Sequence, residues 1–294
     1  MDPAPLLAWY RRRRRSYPWR QAPPDPYLVL VSEFMLQQTQ AARVVPAFGS
    51  FVARFPTVKA LARASRRDVL QAWSGLGYNR RAVRLRETAV KIVAEHGGGV
   101  PSDPVILAAL PGIGPYTAAA VASIAFGVPV PAVDTNVRRV VARAVLGVEG
   151  KDAPLREVTS AATAWMDGTE PGAWNQAVMD LGREVCRALP RCSSCPLQSE
   201  CAFRRRGRAD GKPARKTNRS IAAPFEGSPR QLRGAIIRIL IGHPVVTIGS
   251  ISRATGRPAS LVAEIVGALS HDGLVMAGPA ALAGNRRGRV RLAP

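Results

Sequence analysis

The stretch Leu110-Pro111-Gly112-Ile113-Gly114-Pro115-Tyr116-Thr117 narrows the possible folds of this chain more than any other. Two glycines in a five-residue turn can take positive φ at little steric cost, and Pro115 stands where a helix tolerates a missing N–H. The run TAAAVASIAFG that follows is alanine-rich and stops at Gly127, as a buried, closely packed helix does. The spacing therefore predicts a tight hairpin opening a helix. Its N–H groups, at the positive end of that helix, suit a phosphate held without reading of base sequence. A dinucleotide-binding turn fits poorly, because no strand-like run precedes the glycines and no third glycine follows. Shortly after, Val133-Asp134-Thr135-Asn136 sets one carboxylate just ahead of the helical run NVRRVVARAV.

Charge supplies the second constraint. Lys and Arg total 42 against 20 acids, giving a formal net charge of +22, almost all of it from arginine. Such an excess points to a polyanion, and nucleic acid is the simplest one. No apolar run is long enough to span a bilayer, and the N-terminal charges Arg11 to Arg15 follow their short apolar run, the reverse of a secretory signal. A cytoplasmic protein is expected. Four cysteines, Cys186, Cys192, Cys195 and Cys201, then suggest metal rather than disulfides. Their C-x5-C-x2-C-x5-C spacing is open to one zinc ion or to a four-iron cluster.

Along the chain the periodicity is helical, with almost no period-two alternation up to about residue 200, so the main body is expected to be all-α. Asp25 and Pro26 form a good N-cap and first-turn pair, predicting a mostly buried helix over PYLVLVSEFMLQQTQ. Tyr78, glycine-flanked, is expected on a turn, followed by an Arg-rich helix to about Glu95. The predicted organisation is a body over 1–203 with the cysteine loop at 186–201, a basic linker over 204–228 and a small module over 229–294. The last, with three short helices and a strand-like ending, resembles a winged helix.

Two acids carry the chemistry. Glu33 interrupts a greasy helix beside Val31, Phe34 and Met35, and burial raises a carboxyl pKa as a general acid at neutral pH requires. Asp134 meets a helix N-terminus and arginines and should stay ionised. One protonated and one anionic carboxylate at one pocket is an arrangement for breaking a glycosidic bond through an oxocarbenium-like state.

The hairpin with its following aspartate resembles the helix-hairpin-helix signature of the endonuclease III superfamily of base-excision DNA glycosylases. Ser32-Glu33-Phe34-Met35-Leu36-Gln37-Gln38-Thr39-Gln40 is similar to the motif of the adenine DNA glycosylases, its mismatch-repair branch. Further landmarks occur in order: Pro18-Trp19-Arg20, Gly75-Leu76-Gly77-Tyr78, the hairpin, Val133 to Val137, and Asn175-Gln176 ahead of Met179-Asp180-Leu181-Gly182. The resemblance runs from residue 5 to about 203 and implies a two-lobed helix-hairpin-helix fold.

By that resemblance Glu33 protonates the adenine, Asp134 stabilises the sugar cation or its covalent adduct, and Asn136 orients the catalytic groups. Arg15, Trp19 and Gln176 would line the adenine pocket. Gln38 and Tyr78 would wedge into the base stack, with Gln37 in the same DNA-contacting set and Gly112 and Gly114 on phosphate. Members that also cut the strand carry a lysine where Tyr116 stands, and a tyrosine cannot form their Schiff base. The implied activity is hydrolysis of the base alone, on double-stranded DNA holding adenine mispaired with guanine or 8-oxoguanine. The resemblance further implies a [4Fe-4S] cluster on the four cysteines, although the first gap is one residue off the usual pattern. A monomer associated with the nucleoid is expected. Many members also carry a C-terminal domain, similar to nucleoside-diphosphate hydrolases, that recognises 8-oxoguanine; the region after residue 228 lacks its glycine- and glutamate-rich signature. Two rival readings are a thymine or uracil mismatch glycosylase on the same scaffold and a non-catalytic iron-sulfur DNA-binding regulator.

Overall fold

The structure, a computed structural model, describes residues 1–166, 168, 170–207 and 225–294. Residues 208–224 of the expected linker lie outside the described residues. In chain order the first helices are α1 Ala4–Arg13, α2 Pro26–Leu36, α3 Ala41–Arg54, α4 Val58–Arg63, α5 Arg66–Ala72 and α6 Arg80–His96. Then come α7 Pro104–Ala108, α8 Pro115–Phe126, α9 Thr135–Val141, α10 Leu155–Trp165, α11 Pro171–Glu184 and α12 Ala202–Arg205. The C-terminal elements are α13 Pro229–Gly242, β1 Val246–Thr247, α14 Ile248–Thr255, α15 Ala259–His271, β2 Val275–Ala277, α16 Pro279–Leu282 and β3 Arg289–Leu292. The all-α expectation for the body holds.

Contacts group the chain into two units that ignore chain order: residues 1–33 with the described residues of 100–219, and residues 34–99 with the described residues of 220–294. The boundary falls inside α2, between Glu33 and Phe34.

In the first unit, Asp25 caps α2 as expected, its Oδ1 accepting from the Tyr27 and Leu28 N–H groups at 2.7 and 3.3 Å. The alanine run of α8 is buried from Thr117 to Ser123 and ends at Gly127. Ala119 and Ala120 of α8 pack with Ala132, while in a separate core α1 contributes Leu6, Leu7, Trp9 and Tyr10 beside Val137, Val140 and Val141 of α9 and Trp174, Val178 and Leu181 of α11. Each such side chain is worth about 1.5–3 kcal/mol on burial, so the core fixes α9 and α11 side by side. Gly182 permits that approach, since a Cβ there would lie 2.7 Å from the Cβ of Asn136.

In the second unit, α4 and α5 are capped by Thr57 and Ser65, and Phe51 packs edge-on against Phe55 and Trp73. Helix α2 stops at Leu36, short of the expected Gln40, because Gln38 takes a left-handed conformation with φ of 54°. The C-terminal elements form a three-stranded antiparallel sheet of order β1-β3-β2 on α13, α14 and α15. They join residues 34–99 through Arg66 Nη1 on the Gly273 carbonyl at 2.8 Å, Arg67 on the Ile241 carbonyl, and Arg80 with Asp272 at 3.6 Å.

Candidate active site

Glu33 occupies one buried turn of α2 and is 7 % exposed. Burial drives its carboxyl up to about 7; the hydrogen bond from Tyr116 and the charge of Arg20 pull down, while the charge of Asp134 pushes the same way as burial. Tyr116, in the first turn of α8, is pushed well up by burial and by the charges of Glu33 and Asp134, which keeps its phenol a donor. The phenol also points to the Met179 sulfur at 3.7 Å. The structure thus brings Glu33, Tyr116 and Asp134 within electrostatic reach of one another, all inside the first unit.

Asp134 sits in an opposite setting. It is the N-cap of α9: Oδ1 accepts from the N–H groups of Asn136 and Val137 at 2.8 and 2.7 Å, and Oδ2 accepts from Asn136 Nδ2 at 2.9 Å. Asn136 Oδ1 accepts in turn from Arg139 Nη2 at 2.9 Å. Arg139 continues to the carbonyls of Gly182 and Cys186, both at 2.7 Å, so Asp134 is tied through two side chains to the start of the cysteine loop.

The remaining expected pocket residues are held by partners that sequence reading missed. Gln176 Oε1 accepts from Tyr10 Oη at 2.8 Å. Trp19 stacks on Tyr17, centroids 4.8 Å apart. Arg15 lies 3.3 Å from Glu184. Arg20, between the rings of Tyr10 and Tyr17, makes a two-pronged pair with Asp180 at 2.8 and 3.1 Å, and its charge reaches Glu33. Asn175, a sequence landmark, is fully buried and structural: it accepts from the Ala132 N–H and donates to Ser123, Val130 and Pro171.

The hairpin between α7 and α8 exposes Gly112 and Gly114 around a buried Ile113. Only Gly112 uses positive φ, at 78°; Gly114 is extended and caps α8, which corrects the expectation that the turn would draw on both glycines. A Cβ at Gly114 would meet open space, so glycine there leaves the helix N–H groups uncovered.

In the second unit, Gln38 and Tyr78 are the two non-glycine residues with positive φ among the described residues, and both are exposed. Left-handed backbone in a glutamine and a tyrosine is sparsely populated and persists where the surroundings impose it. Arg81 imposes it on both turns. Its guanidinium donates to the carbonyls of Phe34 and Met35 at 2.9 Å, to that of Gln37, to Thr39 Oγ1 at 3.0 Å and to the Gly77 carbonyl at 3.2 Å. It also lies under the Tyr78 ring, and burial lowers it to about 10. No local sequence signal marks this arginine among its many neighbours.

The profile of the HhH-GPD superfamily base excision DNA repair protein matches residues 31–163. The adenine DNA glycosylase of Mycolicibacterium smegmatis is 45 % identical over 241 residues, 82 % of this chain and 80 % of that protein. This chain belongs to the adenine DNA glycosylase family. The adenine DNA glycosylase of Homo sapiens is 42 % identical over 68 % of this chain and 39 % of its own length. Among solved structures, a thermostable thymine-DNA glycosylase is similar with a TM-score of 0.64 and 27 % identity over 69 % of this chain and 94 % of that one. Endonuclease III in a non-covalent DNA complex gives a TM-score of 0.57 and 26 % identity over 69 % of this chain and 95 % of that one. As a family member, the chain is a base-excision repair glycosylase. No helix among the described residues is long and apolar enough to cross a membrane.

The glycosylase's four cysteines line one cavity of about 30 Å3 together with Arg143, Arg191 and Phe203. Among the described residues no group of three or more His, Cys, Asp or Glu side chains is arranged to hold a metal ion. Four thiol donors sharing one cavity are a donor set that suits one zinc ion or a four-iron cluster. A widened helical turn over Ala142–Leu146 presents Arg143 to this loop, where it bonds Glu149 and the carbonyls of Arg187 and Ala188 and lies 3.7 Å from Cys186 Sγ. Arg187 and Arg191 are exposed.

Proposed function

We propose that this protein hydrolyses the N-glycosidic bond of adenine mispaired with guanine or 8-oxoguanine, leaving an abasic site. The observation that carries the reading is the pairing of a buried Glu33, protonated up to about pH 7, with a half-buried Asp134 whose oxygens meet three N–H donors. A target base must leave the stack before its bond can be broken, at a cost of a few kcal/mol. Gln38 and Tyr78, exposed on strained turns, offset part of that cost by filling the gap, with Gln37 supporting them. Arg15, Trp19 and Gln176 receive the base. Glu33 delivers its proton to the adenine ring as the bond lengthens, and Tyr116 holds the carboxyl in place. Positive charge then grows on the sugar, where Asp134, steadied by Asn136, meets it until water adds at C1′ in place of the departed base and releases a proton to solvent. Gly112 and Gly114 hold a phosphate through backbone N–H groups.

With tyrosine rather than an amine at position 116, the sugar is not captured as a Schiff base, and the strand stays intact. Cys186, Cys192, Cys195 and Cys201 would hold a [4Fe-4S] cluster, whose contribution when bound is to order the loop that carries Arg187 and Arg191. The protein acts as a monomer in the cytoplasm, on the nucleoid.

A panel of duplexes tests the reading, with adenine opposite guanine, 8-oxoguanine or thymine, and thymine or uracil opposite guanine, scored for alkali-labile sites. Abasic sites are expected from the two adenine mispairs alone. Release of thymine or uracil would move the protein to the rival specificity, strand breaks without alkali would remove the base-only mechanism, and binding with no release from any duplex would make it a regulator.

A further inference from the structure

The catalytic reading leaves the C-terminal residues unused, and their charge is unevenly placed. Residues 229–294 hold nine arginines and only two acids, Glu264 and Asp272. Four of the arginines, Arg286, Arg287, Arg289 and Arg291, fall within the last turn and strand, and all four are exposed. On β3 burial alternates: Val290 and Leu292 face the core, so Arg289 and Arg291 share the solvent face of the sheet. Arg291 stands opposite Met276 of β2 and Arg289 opposite Thr247 of β1.

The turn that carries the other two is pinned. The N–H of Ile248 donates to the Gly288 carbonyl and that of Gly249 to the Arg286 carbonyl, both at 2.9 Å, while the Arg287 N–H donates to Asn285 Oδ1 at 2.9 Å. Gly288 is buried so closely on α16 that a Cβ there would lie 2.4 Å from the backbone of Ala281. The arginines therefore project from an ordered platform.

Their charge is not neutralised within the module. Asp272 pairs with Arg80 and Arg233, Glu264 lies on α15, and no ion pair involves the four wing arginines among the described residues. Helix α15, which a winged helix would set in the major groove, exposes Ser260, Glu264 and Ala268 and has no arginine or lysine. A pinned positive hairpin beside a helix without base-reading cations fits a contact to the sugar-phosphate backbone.

We propose that the hairpin bearing Arg286, Arg287, Arg289 and Arg291 is a second duplex-DNA contact, sequence-independent and additional to the catalytic site. It takes double-stranded DNA as the ligand from the family assignment and needs none of the catalytic roles assigned above. The test uses the full chain and a long, labelled, fully matched duplex, with affinity followed against salt by anisotropy. The R286A/R287A/R289A/R291A variant should bind about 10- to 100-fold more weakly and flatten the slope of log K against log salt by about 0.9 for each phosphate it no longer neutralises. The four-lysine variant should keep most of the slope, and base release under saturating enzyme should be unchanged. Should the four-alanine variant fail to fold by circular dichroism, R287A and R291A alone should each flatten the slope by about one. Unchanged affinity and slope would overturn the proposal, including the case where the variant loses only the capture of an acidic protein. Because the duplex holds no mispair, this outcome is read independently of whether any base is released.

Discussion

Glu33 and Asp134 are both carboxylates in one unit, yet the chain treats them oppositely. Glu33 is buried with a phenol as its hydrogen-bond donor, and burial raises its carboxyl to about 7. Asp134 sits at a helix start with three N–H donors on its oxygens. The difference lies in the surroundings: one carboxyl is withdrawn from water, while the other is ringed by N–H donors.

The sharpest way to break the contrast is Glu33→Gln. Base release in single turnover should fall about 100- to 10,000-fold with duplex affinity retained. Stability moves the other way. Between the ordinary 4.5 and about 7 the folded chain binds more protons than the unfolded one, so Glu33 makes the protein less stable as pH rises through that window. Chemical denaturation should find Glu33→Gln more stable than the parent by about 3 kcal/mol above pH 7, at 1.36 kcal/mol per unit, with no gain below pH 4.5. A variant that loses activity without this pH-dependent gain would place Glu33 outside a desolvated site.

Gly182→Ala acts on the other carboxylate. The added methyl would crowd the Cβ of Asn136, 2.7 Å away, and displace the donor to Asp134 Oδ2. Denaturation should reveal a loss of about 1–3 kcal/mol, and activity should drop while the basic limb of the pH profile, owned by Glu33, stays in place. The smallest effect belongs to Tyr116→Phe. Its hydrogen bond lowers the Glu33 pKa, so its removal should carry that basic limb to higher pH with base release largely kept. A limb that moves to lower pH would mean the phenol stabilises the protonated form instead.

The same contrast explains what was legible in sequence. The burial of Glu33 was readable because Val31, Phe34 and Met35 lie beside it in the chain, and the cap at Asp134 because an N-cap is a local pattern. The end of α2 was not. Gln37-Gln38-Thr39 contains no glycine or proline, and what stops the helix there is Arg81, more than forty residues on. Likewise Arg20 with Asp180 and Tyr10 with Gln176 are pairs about 160 residues apart, and such polar matches leave no periodicity to detect. The attachment of residues 229–294 to the 34–99 segment was equally hidden, resting on arginines that meet distant carbonyls.

Arg81 has a further consequence. Because one guanidinium anchors the turns of both Gln38 and Tyr78, the two exposed side chains are not independent parts. A lesion at this single codon counts as a double defect. On the proposed role of Gln38 and Tyr78 as wedges, it would slacken both while leaving Glu33 in place, from a side chain that need never meet a nucleotide itself.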